Sequence, residues 1–376
     1  MPIVTLYTLK TPSLILDGEK VRRNAERIAA IAKRLNVRLR PHIKTHKCVE
    51  IARMQTEGFD GAVTVSTLEE ARAFTRGGFT DFTYAVPIEP GKFADAIELT
   101  RSGLKLNVLT DDASIPPQLD AAAAAVGVRM SVFVEIDCGD HRSGVDPSTN
   151  AAIDIARAIN DAKSLDFAGL LTHAGHSYGA TSIEEIAEVA RNERDTMTDM
   201  AERVRAAGIE VPTVSIGSTP TINHVDHLDG IDEVRPGNYI FFDAYQATLG
   251  SCDITDCALS VLAAVVHRNY AQKKVIIDAG AIALSKDRGP IHLDTACGYG
   301  RVLDLQGNDT GLRVSSMSQE HGTIPVADHN LLDRLPVGTR LRILANHSCL
   351  TAAQYDHYNV VDGNRVVDEW QIHRGW

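Results

Sequence analysis

From Val37 to about Ala244, short apolar, β-branched runs alternate with longer amphipathic stretches rich in Ala, Glu and Arg. This rhythm predicts βα units around a parallel sheet. Eight runs qualify as strands: 37–40, 62–65, 82–86, 104–109, 129–136, 167–171, 213–216 and 233–235. Over 19–35, Val21, Ala25, Ile28, Ala32 and Leu35 recur at three- and four-residue intervals while the charged residues fall mostly elsewhere, the pattern of a helix with one buried face. A second helix is predicted over 183–207, so rich in Glu and Arg that much of it should face water, and the alanine run 121–125 reads as helix. Eight units fit a (β/α)8 TIM barrel better than an open doubly wound sheet, giving an α/β fold.

After Ala244 the rhythm changes. Segments 258–267, 274–278, 311–317, 339–344 and 358–361 are β-rich and separated by Gly, Asp and Asn turns. Residues 361–366 read as a tight hairpin in which Asp362-Gly363 supplies the positive φ angles. The expected division is a barrel over 12–245 and a C-terminal β domain over 246–376, with 1–11 open to pairing with the latter and the residues before about Leu16 open to either.

Composition narrows the function. The 376 residues are 44% apolar and 23% charged, a folded rather than a disordered or fibrous chain. Lys plus Arg number 38 and Asp plus Glu 49, a net −11, which speaks against phosphate-tracking nucleic-acid binding and adhesion to anionic membranes and favours a small-molecule partner. No apolar run approaches a membrane span and residues 1–10 lack the features of a signal peptide, so a cytoplasmic chain is expected. Six irregularly spaced cysteines predict thiols rather than a disulfide framework.

Chemistry concentrates where strands end. Arg40-Pro41-His42-Ile43-Lys44-Thr45-His46-Lys47 follows the first strand, at the carboxyl end where barrels place active sites. Crowding by His42, His46 and Lys47 would lower the Lys44 pKa, as a Schiff-base lysine requires; read alone, the segment is equally a solvated basic loop. Gly217-Ser218-Thr219 after the seventh strand and Pro236-Gly237-Asn238 after the eighth stand where barrels bind phosphate. Arg142 and Tyr178 end the fifth and sixth strands at the same mouth, as a fixed cation and a stacking or donating ring. In the β domain, His347 and Cys349 alternate onto one strand face and could share a metal, an open two-donor site. Cys252 with Cys257, and His224 with His227, are weaker metal pairs.

Together these features resemble the alanine-racemase-like fold of pyridoxal-phosphate enzymes (fold type III), and within it the D-serine dehydratase and D-threonine aldolase family. The matching motifs run in order along nearly the whole chain: residues 40–47, Val-Ser-Thr-Leu-Glu-Glu-Ala (65–71), Glu-Ile-Asp-Cys-Gly (135–139), His-Arg-Ser-Gly-Val (141–145), Ile-Gly-Ser-Thr-Pro (216–220), Pro-Gly-Asn-Tyr (236–239), Gln-Glu-His-Gly (319–322), Asn-His-Ser-Cys (346–349) and the terminal Arg-Gly-Trp. His-Arg-Ser-Gly and Thr-His-Ala-Gly are most similar to the D-threo-3-hydroxyaspartate dehydratase type.

The resemblance implies that Lys44 carries pyridoxal 5'-phosphate, that Ser218, Thr219, Gly237 and Asn238 hold its phosphate, and that Arg142 and Tyr178 contact it. It further implies that His347 and Cys349 bind Zn2+ or another divalent metal, and that the protein is a homodimer whose active site the partner's β domain completes. The aldolase branch has Asp where Cys349 stands, so the His-x-Cys pattern points to elimination of water from a D-3-hydroxy amino acid such as D-serine or D-threo-3-hydroxyaspartate. A metal-dependent aldolase, a racemase and a non-catalytic coenzyme binder are the alternatives. A second substrate carboxylate would need a cation, for which Arg142, Arg288 and Arg301 are candidates.

Overall fold

The computed structural model of the chain describes residues 4–376. It divides into two compact units: Arg27–Gly237 with Arg374–Trp376, and the N-terminal segment up to Glu26 with Asn238–His373. Strand β1 (Ser13–Asp17) opens the chain, followed by eight strands of a single sheet. These are β2 (Arg38–Leu39), β3 (Val63–Val65), β4 (Asp81–Pro87), β5 (Lys105–Thr110), β6 (Met130–Glu135), β7 (Leu165–Leu171), β8 (Val214–Ile216) and β9 (Glu233–Val234).

The order β2-β9-β8-β7-β6-β5-β4-β3 curls this sheet into a barrel, and every neighbouring pair is parallel. Its ends meet where His42 bridges Thr64: the Thr64 N–H donates to Pro41 O (2.9 Å) and its hydroxyl to Arg40 O (3.0 Å). Each predicted strand overlaps an observed one. Short polar strands such as β2 and β9 are stable here because their charges pair inside. Buried Arg40 donates to Glu233 (2.7 Å) and Asp81 (2.6 Å), and Ser215 donates to the second oxygen of Glu233 (2.8 Å). Burial opposes ionisation of Asp81, but Arg40 and Lys105 prevail and hold its pKa at about 2.

The predicted helix over 19–35 is observed as Gly18–Arg34, with Val21, Ala25, Ile28 and Ala32 buried. The long helix is Ile183–Ala206, capped by Ser182, whose hydroxyl accepts from Glu185 N (3.1 Å). It buries a stripe of Ile186, Ala190, Glu193, Met197, Met200, Ala201 and Val204. No helix among the described residues is long and apolar enough to cross a membrane.

In the other unit β1 joins β10 (Leu259–Asn269), β11 (Lys274–Ile277), β12 (Arg301–Leu303), β13 (Asp309–Arg313), β14 (Ser316–Met317), β15 (Gly322–Pro325), β16 (Arg340–Leu344), β17 (His357–Asp362) and β18 (Arg365–Gln371). The main path is β13-β12-β16-β10-β1-β17-β18, and β1 lies antiparallel to β10 and parallel to β17.

Several expectations need correction. Strand β1 falls within the range assigned to the barrel, yet it is an inner strand of the second sheet, because its apolar Leu14, Ile15 and Leu16 are fully buried there. The compact units divide at Glu26/Arg27 and Gly237/Asn238. The single run 311–317 is broken into β13 and β14. In the hairpin, Asp362 still pairs with Arg365, so the loop is Gly363-Asn364 and the positive φ (+56°) belongs to Gly363 alone. Strands β12, β15 and β18 have no counterpart among the predicted segments.

Candidate active site

The barrel unit gathers the first group of residues on the loops after β2, β6, β7, β8 and β9. Lys44 occupies a 3₁₀ turn, Ile43–Thr45, whose flanking residues are buried, so the lysine is turned outward and is exposed. His42 caps the turn, its Nδ1 accepting from Lys44 N (3.5 Å). Burial holds His42 and His173 well below the usual imidazole pKa, and the positive charges of Lys44 and Arg235 add to this, with Arg142 also acting on His173. Both rings are therefore neutral. Arg235 is buried and donates to Ser215 Oγ (2.6 Å) and to the Thr172 carbonyl; burial brings its pKa down to about 10 against the carboxylates of Glu233, Glu193 and Glu135.

The basic neighbours expected to crowd Lys44 are rearranged. His46 is buried with Nε2 on Gln55 (2.8 Å) and Nδ1 accepting from Cys48 N (3.0 Å), and burial lowers its pKa to about 3. Lys47 adopts a left-handed backbone (φ 49°) and pairs with buried Glu70 (3.0 Å). With both histidine neighbours of Lys44 neutral, Arg235 and, toward His173, Arg142 supply positive charge in this cluster rather than His46 or Lys47.

The loop after β8 turns at Gly217 (φ +118°), where any Cβ would lie 3.1 Å from Arg235 N. Ser218 and Thr221 form a reciprocal capping box, and Ser218 Oγ also meets Ser177 Oγ (3.0 Å). Thr219 is buried beside it. Fully buried Glu193 accepts with Oε1 from Gly217 N (2.9 Å) and Ala174 N (3.2 Å). At Gly237 a Cβ would come within 2.8 Å of His42 O and 3.0 Å of His42 Cβ, so glycine lets the loop after β9 lie flush on the lysine loop. Tyr178 is half-buried in the turn Gly175–Gly179. Arg142 keeps 57% of its side chain exposed and lies 3.9 Å from Asp140. Buried Glu135 has its pKa raised by desolvation and the charge of Asp111, against Ser143, Arg142 and Arg235.

The second group lies in the other unit, just past β16. His347 Nδ1 contacts Asp287 Oδ2 at 2.6 Å, the orientation that leaves Nε2 for a metal. Burial works to lower its pKa, but hydrogen bonds to Asp287 and Cys349 and the charges of Cys349 and Asp243 hold it at about 11, so a metal on Nε2 would have to displace that proton. Asn238 Nδ2 donates to Asp243 (2.8 Å), Ser348 Oγ (3.1 Å) and Cys349 Sγ (3.6 Å), and Asp243 also accepts from Ser348 N (2.9 Å). Asn238 Nδ2 is thus committed to Asp243 and the Cys349 loop. No group of three or more His, Cys, Asp and Glu side chains disposed to hold a metal occurs among the described residues, so His347 and Cys349 form a two-donor set. His227 contacts Arg194 (2.7 Å) and Asp229 (3.0 Å), and none of the six cysteines is in a disulfide.

The model of the alanine racemase N-terminal domain matches residues 16–245, and that of the serine dehydratase domain matches residues 258–361. The chain belongs to the alanine racemase–serine dehydratase family. Among its relatives, D-threo-3-hydroxyaspartate dehydratase of Delftia sp. (strain HT23) is 39% identical over 99% of both chains. That protein's solved structure superposes with a TM-score of 0.95, covering 99% of this chain and 100% of the other, and one of its variants is described as a metal-free form. D-serine dehydratase of Dictyostelium discoideum is 35% identical over 99% of this chain and 98% of its own. A D-threonine aldolase structure from Filomicrobium marinum is more distant, with 28% identity, a TM-score of 0.85 and coverage of 99% and 97%.

The residues present fit the groups that this family implies. An outward lysine beside neutral imidazoles and a glycine-turned, hydroxyl-lined loop suit a phosphorylated aldehyde coenzyme. An imidazole oriented by a carboxylate, in hydrogen-bond contact with a thiol, is a donor set for zinc. Sequence reasoning missed Asp287, whose 60-residue separation from His347 leaves no local signal. It also missed Glu193, although a glutamate on the apolar stripe between Ala190 and Met197 was a visible anomaly.

Proposed function

We propose that the protein is a pyridoxal-phosphate- and zinc-dependent dehydratase that removes water from a D-3-hydroxy amino acid, D-threo-3-hydroxyaspartate or D-serine, yielding a 2-oxo acid and ammonia. The observation that carries this reading is the His347–Cys349 pair with Asp287 on the outer imidazole nitrogen. In this reading Ser218, Thr219, Gly237 and Asn238 hold the coenzyme phosphate, and Arg142 and Tyr178 contact the coenzyme. Bound pyridoxal phosphate supplies the electron sink that makes a Cα–H bond acidic. Lys44 would hold the coenzyme, and its Nζ is the amine that would accept the α proton. Neutral His42 and His173 add no positive charge beside that amine. His347 Nε2 and Cys349 Sγ would hold zinc, which offers Lewis acidity with coordination positions left open for a poor leaving group such as hydroxide.

The reading includes a homodimer and a cytoplasmic location; six cysteines with no disulfide are compatible with a reducing compartment. The test is ammonia release from D-threo-3-hydroxyaspartate and D-serine by protein loaded with coenzyme and zinc, before and after chelation. Ammonia that disappears with chelator and returns with zinc is expected. Ammonia unaffected by full metal removal contradicts the metal role, and none from either substrate contradicts the dehydratase reading.

A further inference from the structure

We propose that Glu193 is a positioning residue of the coenzyme site, locking the tyrosine turn after β7 and the phosphate loop after β8 into one arrangement. The inference rests on the coenzyme reading above and deepens it. Glu193 occupies a core position of helix Ile183–Ala206, between Ala190 and Met197 on the buried stripe, where packing alone would be served by an apolar side chain. Burying a carboxyl group there is costly unless its oxygens are satisfied. Oε2 is buried without a hydrogen-bond partner, so the site tolerates that cost to keep Oε1, which accepts from main-chain donors of two different loops: Ala174 N (3.2 Å) and Gly217 N (2.9 Å).

Each of these donors opens a segment that bears proposed coenzyme contacts. Ala174 precedes the turn Gly175–Gly179 with Tyr178, and Gly217 precedes Ser218 and Thr219. A third tie, Ser177 Oγ to Ser218 Oγ at 3.0 Å, joins the same two segments directly. One oxygen therefore sets the register between a loop that would address the coenzyme ring and one that would address its phosphate. Burial raises the Glu193 pKa, against the hydrogen bonds from Gly217, Thr221 and Ala174 and the charge of Arg235. The neutral carbonyl oxygen still accepts both N–H groups.

The test compares the affinity of coenzyme-free wild type, E193A and E193Q for pyridoxal phosphate and for pyridoxal, which lacks the phosphate, by spectroscopic titration. The wild type is expected to prefer the phosphorylated form. E193A should lose about tenfold or more of its pyridoxal-phosphate affinity, as loss of two hydrogen bonds to a carboxyl acceptor implies, while its affinity for pyridoxal changes much less. E193Q, whose amide oxygen accepts both bonds, should stay within about threefold of wild type. An E193A protein that keeps the full phosphate preference, or weakens equally toward both ligands, overturns the inference. Should E193A fail to fold, S177A removes one tie and should narrow the preference by about threefold; an unchanged preference there contradicts the proposal. A wild type that binds neither ligand overturns the coenzyme reading and this inference with it.

Discussion

Lys44 is turned outward because Ile43 and Thr45 on either side of it are buried, and its chemistry depends on that local contrast. Replacing Lys44 by Ala should abolish both the absorbance of the lysine-bound coenzyme and turnover; a variant retaining the band contradicts the assignment. Asp287→Asn should lower zinc affinity about tenfold to a hundredfold, as expected for loss of a carboxylate that orients a ligating histidine, with coenzyme binding intact; a metal titration showing unchanged affinity would count against the role. Lys44, His347 and Cys349 could be put forward as candidates from the sequence because each sits beside a strand end in a chemically unusual run. Asp287 and Asp243 could not, since they reach their partners through the tertiary fold. The roles of His46 and Lys47 were misread because adjacency in sequence does not fix where a side chain points: one turns into the core and the other bends back to Glu70.

At the scale of elements, the barrel strands were legible from apolar runs, and the long helix from its charge pattern, but what Glu193 does on its inner face was not, since its partners Ala174 and Gly217 lie on two other loops. The pairing of strand β1 stayed open at the sequence level because a five-residue apolar segment carries no information about its distant partners β10 and β17. Close packing between β7 and β8 makes its own prediction. At Gly169 (φ +129°) a Cβ would lie 1.9 Å from Thr213 O. Gly169→Ala should therefore destabilise the protein by about 3 kcal/mol or more, from backbone strain together with the clash, measured by denaturant unfolding. A loss below about 0.5 kcal/mol, the range of a neutral surface change, would contradict the close approach.

At the scale of the whole molecule, buried neutral histidines couple stability to pH. The native pKa of His46, about 3, lies below its ordinary value of 6.5, so the native state binds this proton less readily than the unfolded chain. Its contribution is complete above about pH 6.5 and is lost as pH falls toward 3. The difference in melting temperature between wild type and His46→Gln should accordingly narrow as pH falls from about 7 to about 4; a constant difference would show that His46 does not titrate on unfolding. The two-unit plan was legible from the change in rhythm near Ala244, but its boundaries were not, because the N-terminal strand returns to the second sheet.

The central claim is elimination rather than carbon–carbon cleavage, and the most direct measurement is product identification from D-threo-3-hydroxyaspartate incubated with coenzyme- and zinc-loaded protein. The account predicts a 2-oxo acid and ammonia in equal amounts, with formation ceasing on chelation. Glycine with an aldehyde as the products would contradict it and make the protein an aldolase.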